Sequence, residues 1–189
     1  MNDFYQKYYL HQIGDINEVC TYTVLNSILK NKAIFSRKKL DELGIEYVGL
    51  WKNSTSSTSD KDKYIDSSAH YETISLFDPL HKWINKTILH NQSNFLFNPN
   101  GIGLVISRDV NLSANKEGAE IGEVQVIDTI SKDFICGIIL PTELMVTENL
   151  YQKIINKITE MCINQDWELP IYDYLGNQLY FPKSKKILN

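Results

Sequence analysis

The sequence has few cysteines, and their spacing excludes two classes of protein. Cys20, Cys136 and Cys162 are an odd number at wide intervals, which fits neither a disulfide framework nor a C-x-x-C metal site. His81 and His90 are nine residues apart, a spacing that does not align two ligands on one helical face. We therefore expect free thiols in a reducing compartment and no metal site.

Long apolar runs are also missing. No window approaches the roughly 18 consecutive apolar residues that a membrane helix needs. The amino-terminal stretch carries Asp3 and no continuous apolar segment, unlike a secretory signal peptide. The formal net charge of −4 argues against wrapping duplex DNA through broad phosphate neutralisation. We expect a cytoplasmic protein with no membrane partner, or one injected into another cell without a classical signal peptide.

Several familiar catalytic motifs are absent from the sequence as well. It contains no G-x-G-x-x-G, no G-x-x-x-x-G-K-[ST], no H-E-x-x-H and no G-x-S-x-G. Rossmann dinucleotide binding, P-loop hydrolysis, zinc proteolysis and the usual hydrolase elbow therefore have no support.

The composition is that of a globular protein, with 189 residues, 43% hydrophobic and 22% charged. We expect one domain over residues 1–189. Apolar patterning and turn residues predict the following elements: strands at 5–13, 45–51, 71–77, 101–107, 123–127 and 134–140, helices at 17–29, 36–43, 80–89 and 147–163, and a hairpin around 175–177. Helices do not separate the strands regularly, so we expect an α+β fold with a mixed or antiparallel sheet and flanking helices.

One long segment, residues 53–69, is almost wholly polar and is predicted to be a surface loop. Loops beyond about 12–15 residues are often functional covers or disordered segments. The segment is therefore a candidate lid over a site, with disorder without function as the alternative.

Two polar residues lie on or beside otherwise apolar strands. Glu123 opens the run EVQVID, where a carboxylate at the rim of a cleft can accept a proton or bind a sugar hydroxyl. His11 lies near the end of an aromatic strand. The plainer interpretations are a solvent-facing position for Glu123 and a structural role for His11.

Three segments together resemble a known family. They are YYLHQIGDIN with LNSILKNKAIFSR, then HYETISLFDP, then GEVQVIDTISKDFICGIIL. These segments resemble, in order, the opening strand and helix, the strand after a variable insert, and the glutamate-bearing strand of the ADP-ribosyltransferase fold. The resemblance is to the DNA-targeting ADP-ribosyltransferase toxins and their relatives, and the segments that carry it comprise 52 of the 189 residues.

The resemblance implies an NAD-dependent ADP-ribosyltransferase, a toxin or effector that releases nicotinamide. Glu123 would act at the transfer step, His11 would bind the nicotinamide-side ribose, and Tyr71 would stack on nicotinamide. Arg37 is the nearest counterpart of the family's NAD-contacting arginine, and Ile13 stands where the family has threonine.

The resemblance also implies partners and leaves two alternatives open. The acceptor would be a macromolecule, protein or nucleic acid, and an antitoxin or immunity protein would be a further partner. Because the threonine and a secure arginine are missing, a catalytically silent ligand- or protein-binding module is one alternative. An enzyme similar to the RNA 2′-phosphotransferases is the other, although the low basic content speaks against it.

Overall fold

The computed structural model describes residues 3–46, 71–90, 97–113, 121–142 and 148–182. The described strands are β1 (Tyr8–Asp15), β2 (Ala33–Phe35), β3 (Thr73–Phe77), β4 (Gly101–Ser107), β5 (Glu123–Ile127), β6 (Thr129–Ser131), β7 (Ile135–Leu140), β8 (Ile171–Asp173) and β9 (Gln178–Tyr180). The described α-helices are α1 (Val19–Asn31), α2 (Arg37–Glu42), α3 (Lys82–His90) and α4 (Glu148–Asn164). None of these helices is long and apolar enough to cross a bilayer.

A seven-stranded sheet in the order β5-β3-β1-β4-β7-β8-β9 forms the centre of the structure. Neighbouring strands are antiparallel except β7 and β8, which run parallel and are connected through α4. Parallel neighbours need such a crossover, whereas antiparallel ones do not. A small second sheet pairs β2 with β6. The expected α+β class, with a largely antiparallel sheet and flanking helices, is confirmed.

The central strand β4 is buried on both faces of the sheet, since each of its residues except Ser107 is buried. Successive side chains of a strand point to opposite faces. Leu104 and Ile106 contribute to the larger core cluster, which includes residues of α1 and α4, whereas Val105 belongs to a second cluster with residues of α3. This double burial explains why the sequence of β4 is a continuous apolar run.

Helix boundaries follow local signals. Ser36 caps α2 by accepting a hydrogen bond from Lys39 N, and Gly44, at φ +63°, takes the left-handed conformation just after the helix. The predicted helix at 36–43 is therefore confirmed. In α4 the predicted apolar face is buried at Ile154, Ile155, Ile158 and Cys162, but Leu150, in the first turn, is exposed.

Three segments differ from their sequence predictions or extend beyond the described residues. The strand predicted at 5–13 begins at Tyr8, because residues 3–7 form turns that bury Tyr5, and it continues to Asp15 through a bulge opposite β4. Between the strands predicted at 123–127 and 134–140, where no element was predicted, the structure has β6 and a short 3₁₀ helix, Lys132–Phe134. Residues 45–46 form no strand, and the rest of the segment 45–51 lies, like the predicted loop 53–69, outside the described residues.

Candidate functional site

His11 lies beside the point where the pairing between β1 and β3 ends. In the described strands β1 pairs with β4 at seven positions but with β3 only through Leu10 and Phe77. Next to that pair, His11 Nδ1 lies 3.0 Å from the backbone oxygen of Ser75. An imidazole nitrogen of β1 therefore contacts a carbonyl of β3 beside the point where the ladder stops.

The hydrogen bond between His11 and Ser75 determines which nitrogen of the imidazole carries the proton. A carbonyl oxygen can only accept, so Nδ1 carries the proton and donates it to Ser75 O, which leaves Nε2 of a neutral imidazole as an acceptor. Burial lowers the pKa of His11 below its usual value, and the hydrogen bond to Ser75 opposes that shift. His11 is therefore neutral at pH 7 and offers one nitrogen lone pair to a hydroxyl donor.

The lowered pKa predicts an acid-sensitive fold. Below about pH 6.5, the unfolded-state pKa of His11, the unfolded chain binds a proton that the folded protein does not. The free energy of unfolding therefore decreases as the pH is lowered, by at most about 1.4 kcal/mol per pH unit. In a His11→Gln variant we expect a smaller loss of unfolding free energy between pH 7 and pH 5, measured by urea denaturation. An equal loss of unfolding free energy in the wild type and in His11→Gln would contradict the lowered pKa of His11. The matched control is His90→Gln, at the exposed end of α3.

Glu123, the first residue of β5, is buried with 5% of its surface exposed. Its carboxylate accepts a hydrogen bond from the Ser75 hydroxyl, and Gln125 Nε2 lies 3.4 Å from the same oxygen. The alternative that Glu123 is a solvent-facing position of an alternating strand is therefore wrong. At the other end of β5, Ile127 is 58% exposed.

Ser75 joins the two candidate residues, since its carbonyl contacts His11 and its hydroxyl contacts Glu123. It lies on β3, between β1 and β5. No pattern within the sequence identifies Ser75 as a site residue. The available signal was a hydroxyl inside the apolar strand TISLF, but its partners depend on the register of three strands that are distant in sequence.

The strand register places His11 and Glu123 on opposite faces of the sheet. Leu10 pairs with Phe77, and Phe77 pairs with Glu123, so these three share one face. His11 follows Leu10 and points to the other face. The two candidates thus lie on either side of β3, linked through one serine.

Tyr71 and Arg37 lie near α2, at the other end of β3. The Tyr71 hydroxyl donates to Asp41 Oδ2 at 2.6 Å, and the ring is 41% exposed. Arg37 is the first residue of α2 and is half-buried. Tyr71 precedes β3, and Glu123 pairs with Phe77 at the far end of that strand, so the length of the strand, about 13 Å, separates them. The structure therefore brings Ser75, rather than Tyr71 or Arg37, to Glu123.

A cavity of about 120 Å³ adjoins His11. It lies between β1, α1, β2 and α2, and its α1 wall carries Thr23, Ser27 and Asn31, which recur every fourth residue along one helix face. Its volume is well below the roughly 300–1,000 Å³ of typical pockets for drug-sized ligands. The described cavity therefore has room for about one sugar ring but not for a whole dinucleotide, and most of its other lining residues are apolar.

Within the described ranges, no group of three or more His, Cys, Asp or Glu residues is arranged to hold a metal ion. Comparison of the chain with protein-family models, with curated proteins and with solved structures finds no match. The functional assignment therefore depends on the residues of the site and on the resemblance of the three segments.

Proposed function

We propose that the chain is an NAD-dependent ADP-ribosyltransferase that transfers ADP-ribose to a macromolecular acceptor and releases nicotinamide. The observation that carries the proposal is the link from His11 through Ser75 to Glu123, which joins a neutral imidazole on β1 to a carboxylate on β5. The order of elements supports the ADP-ribosyltransferase fold as part of this proposal. A histidine-bearing first strand precedes a helix, and the glutamate-bearing strand lies two places away in the sheet.

The properties of the two side chains suit this reaction. Breaking the bond between nicotinamide and ribose leaves positive charge on the sugar, and NAD supplies both the ADP-ribosyl group and the leaving group. His11 and Glu123 point to opposite faces of the sheet, so the sugar would have to enter beside the point where the described ladder between β1 and β3 stops. From there the Glu123 carboxylate would stabilise that charge and accept the proton of the incoming nucleophile. Burial at 5% exposure lowers the local dielectric and strengthens both effects.

His11 has a binding role in this proposal. Its Nε2 lone pair accepts a hydrogen bond from a ribose hydroxyl, while Nδ1 stays bonded to Ser75 O and fixes the ring. The adjoining cavity has room for about one sugar ring, and Thr23, Ser27 and Asn31 on its α1 wall would supply polar contacts. Holding the sugar in one orientation lowers the entropic part of the barrier.

A protein or a nucleic acid would be the acceptor, and a cytoplasmic toxin or an effector delivered into another cell would be the biological context. An antitoxin or immunity protein would then be a partner. These assignments come from the resemblance of the segments around His11 and Glu123, and the acceptor in particular is left to experiment.

The test uses the whole chain with NAD labelled on the adenine and on the nicotinamide, in the presence of a cell extract. We expect free nicotinamide and label on a macromolecule, whose sensitivity to protease or nuclease identifies the acceptor class. If neither free nicotinamide nor a labelled macromolecule is formed, the proposal is contradicted and a silent binding module is favoured. Activity on a 2′-phosphorylated RNA, without transfer from NAD alone, would favour the RNA 2′-phosphotransferase alternative.

A further inference from the structure

Arg108, the residue after β4, holds together parts of the chain that are distant in sequence. Its Nη2 lies 2.5 Å from Asp78 Oδ1, and the guanidinium donates to Tyr5 O at 3.2 and 3.4 Å. Its Cζ also lies 4.3 Å from the centre of the Tyr9 ring. A charged group with 23% of its side chain exposed thus has an ion-pair partner, a carbonyl acceptor and an aromatic face.

Asp78 connects this cluster to the start of β5. Its backbone N–H donates to Gly122 O at 2.7 Å, and its carboxylate accepts from Leu80 N at 3.0 Å. Gly122 has φ +85°, and a side chain there would lie 2.8 Å from the atoms of His81. The residue immediately before Glu123 is therefore held closely by the turn that Asp78 begins.

Tyr9 connects the same cluster to the strand that carries His11. Tyr9 and His11 are two residues apart on β1 and point to the same face. The guanidinium therefore touches β1 through the Tyr9 ring and reaches β5 through Asp78 and Gly122. Arg108 lies outside the His11–Ser75–Glu123 link itself.

We infer that Arg108 is a positioning residue, which fixes the Glu123 carboxylate relative to the strand that carries His11. The inference rests on the proposed transferase function. Displacements of about 1 Å at a site can lower turnover by about 100-fold. Loss of Arg108 acts on the relative position of the two strands, so it lowers the rate of transfer more than the affinity for NAD.

The test compares Arg108→Met, Arg108→Lys and the wild type at a temperature where all three are folded. For Arg108→Met we expect kcat to fall by about 10- to 100-fold, with KM for NAD within about 3-fold. Arg108→Lys keeps a cation for Asp78 but loses the planar fork, so we expect an intermediate kcat. Lys157→Met is the matched control, because it removes a cation 3.4 Å from the Tyr22 ring, between α1 and α4, and should leave kcat unchanged.

A second measurement separates this inference from the proposed function. Amide hydrogen exchange of the residues of β5 is measured without NAD in the wild type and in the Met and Lys variants. Faster exchange at Glu123 in Arg108→Met, with partial return in Arg108→Lys, supports the inference even where transfer is absent and the proposed function has failed. Unchanged kcat, or unchanged exchange of β5 in Arg108→Met, overturns it.

Discussion

A Glu123→Gln variant is expected to transfer ADP-ribose about 10²- to 10⁴-fold more slowly than the wild type, the range typical of a lost general base. Glutamine fills the same volume, and its amide oxygen still accepts from the Ser75 hydroxyl. It has no negative charge to stabilise the sugar and cannot take up the acceptor's proton. The rate is measured as label transferred from NAD per minute at saturating NAD.

The control for this prediction is Glu72→Gln. Glu72 is an exposed carboxylate, paired with Lys38 at 2.9 Å, and exposed pairs contribute little to stability. We expect wild-type transfer in that variant and a folded circular dichroism spectrum in both. Undiminished transfer in Glu123→Gln would show that this carboxylate is not the catalytic group and would remove the central residue of the proposal.

A Leu104→Ala variant is expected to lose about 2–5 kcal/mol of unfolding free energy, as other buried leucines do. Leu104 is fully buried in β4, the strand next to β1, and pairs with His11. Its removal leaves a cavity in the larger core cluster, which the rigid neighbouring strands fill poorly. Urea denaturation monitored by circular dichroism gives the free energy.

Leu89→Ala serves as the matched control, because it is the same substitution at a side chain that is 52% exposed on α3. We expect a change within about 0.5 kcal/mol there. A loss below about 1 kcal/mol in Leu104→Ala, outside the range for buried leucines, would mean that β4 is not the centre of the core.

Strands and helices with a strong local sequence signal, such as an apolar run or a cap, could be predicted from the sequence. The bounds of β4 and β5 agree with the apolar runs that predicted them, and the cap and glycine of α2 fixed both of its ends. β6 was not predicted, because three residues give too little periodicity and its partner, β2, lies nearly 100 residues earlier in the chain. Local patterning does not encode such a pairing.

A candidate-site residue could be predicted only where the sequence pattern of its own segment pointed to it. His11 and Glu123 come from patterns within their own segments, and the structure places them on neighbouring parts of the sheet. Ser75 and Arg108 contact partners that strand register and turn geometry bring together, and the sequence alone does not predict these contacts. The opposite orientation of His11 and Glu123 likewise depends on the Leu10–Phe77 pair.

The position of β5 at the end of the described sheet has a consequence for local stability. Its inner edge pairs with β3, and among the described residues Ser113 alone bridges its outer edge. Terminal strands open at a lower free-energy cost than central ones, which amide hydrogen exchange detects. Opening of β5 separates Glu123 from Ser75 while the ladder between β1 and β4 stays closed. Mild denaturant is therefore expected to abolish the proposed transferase activity before the core unfolds, so that this activity would report the stability of one strand rather than of the whole fold.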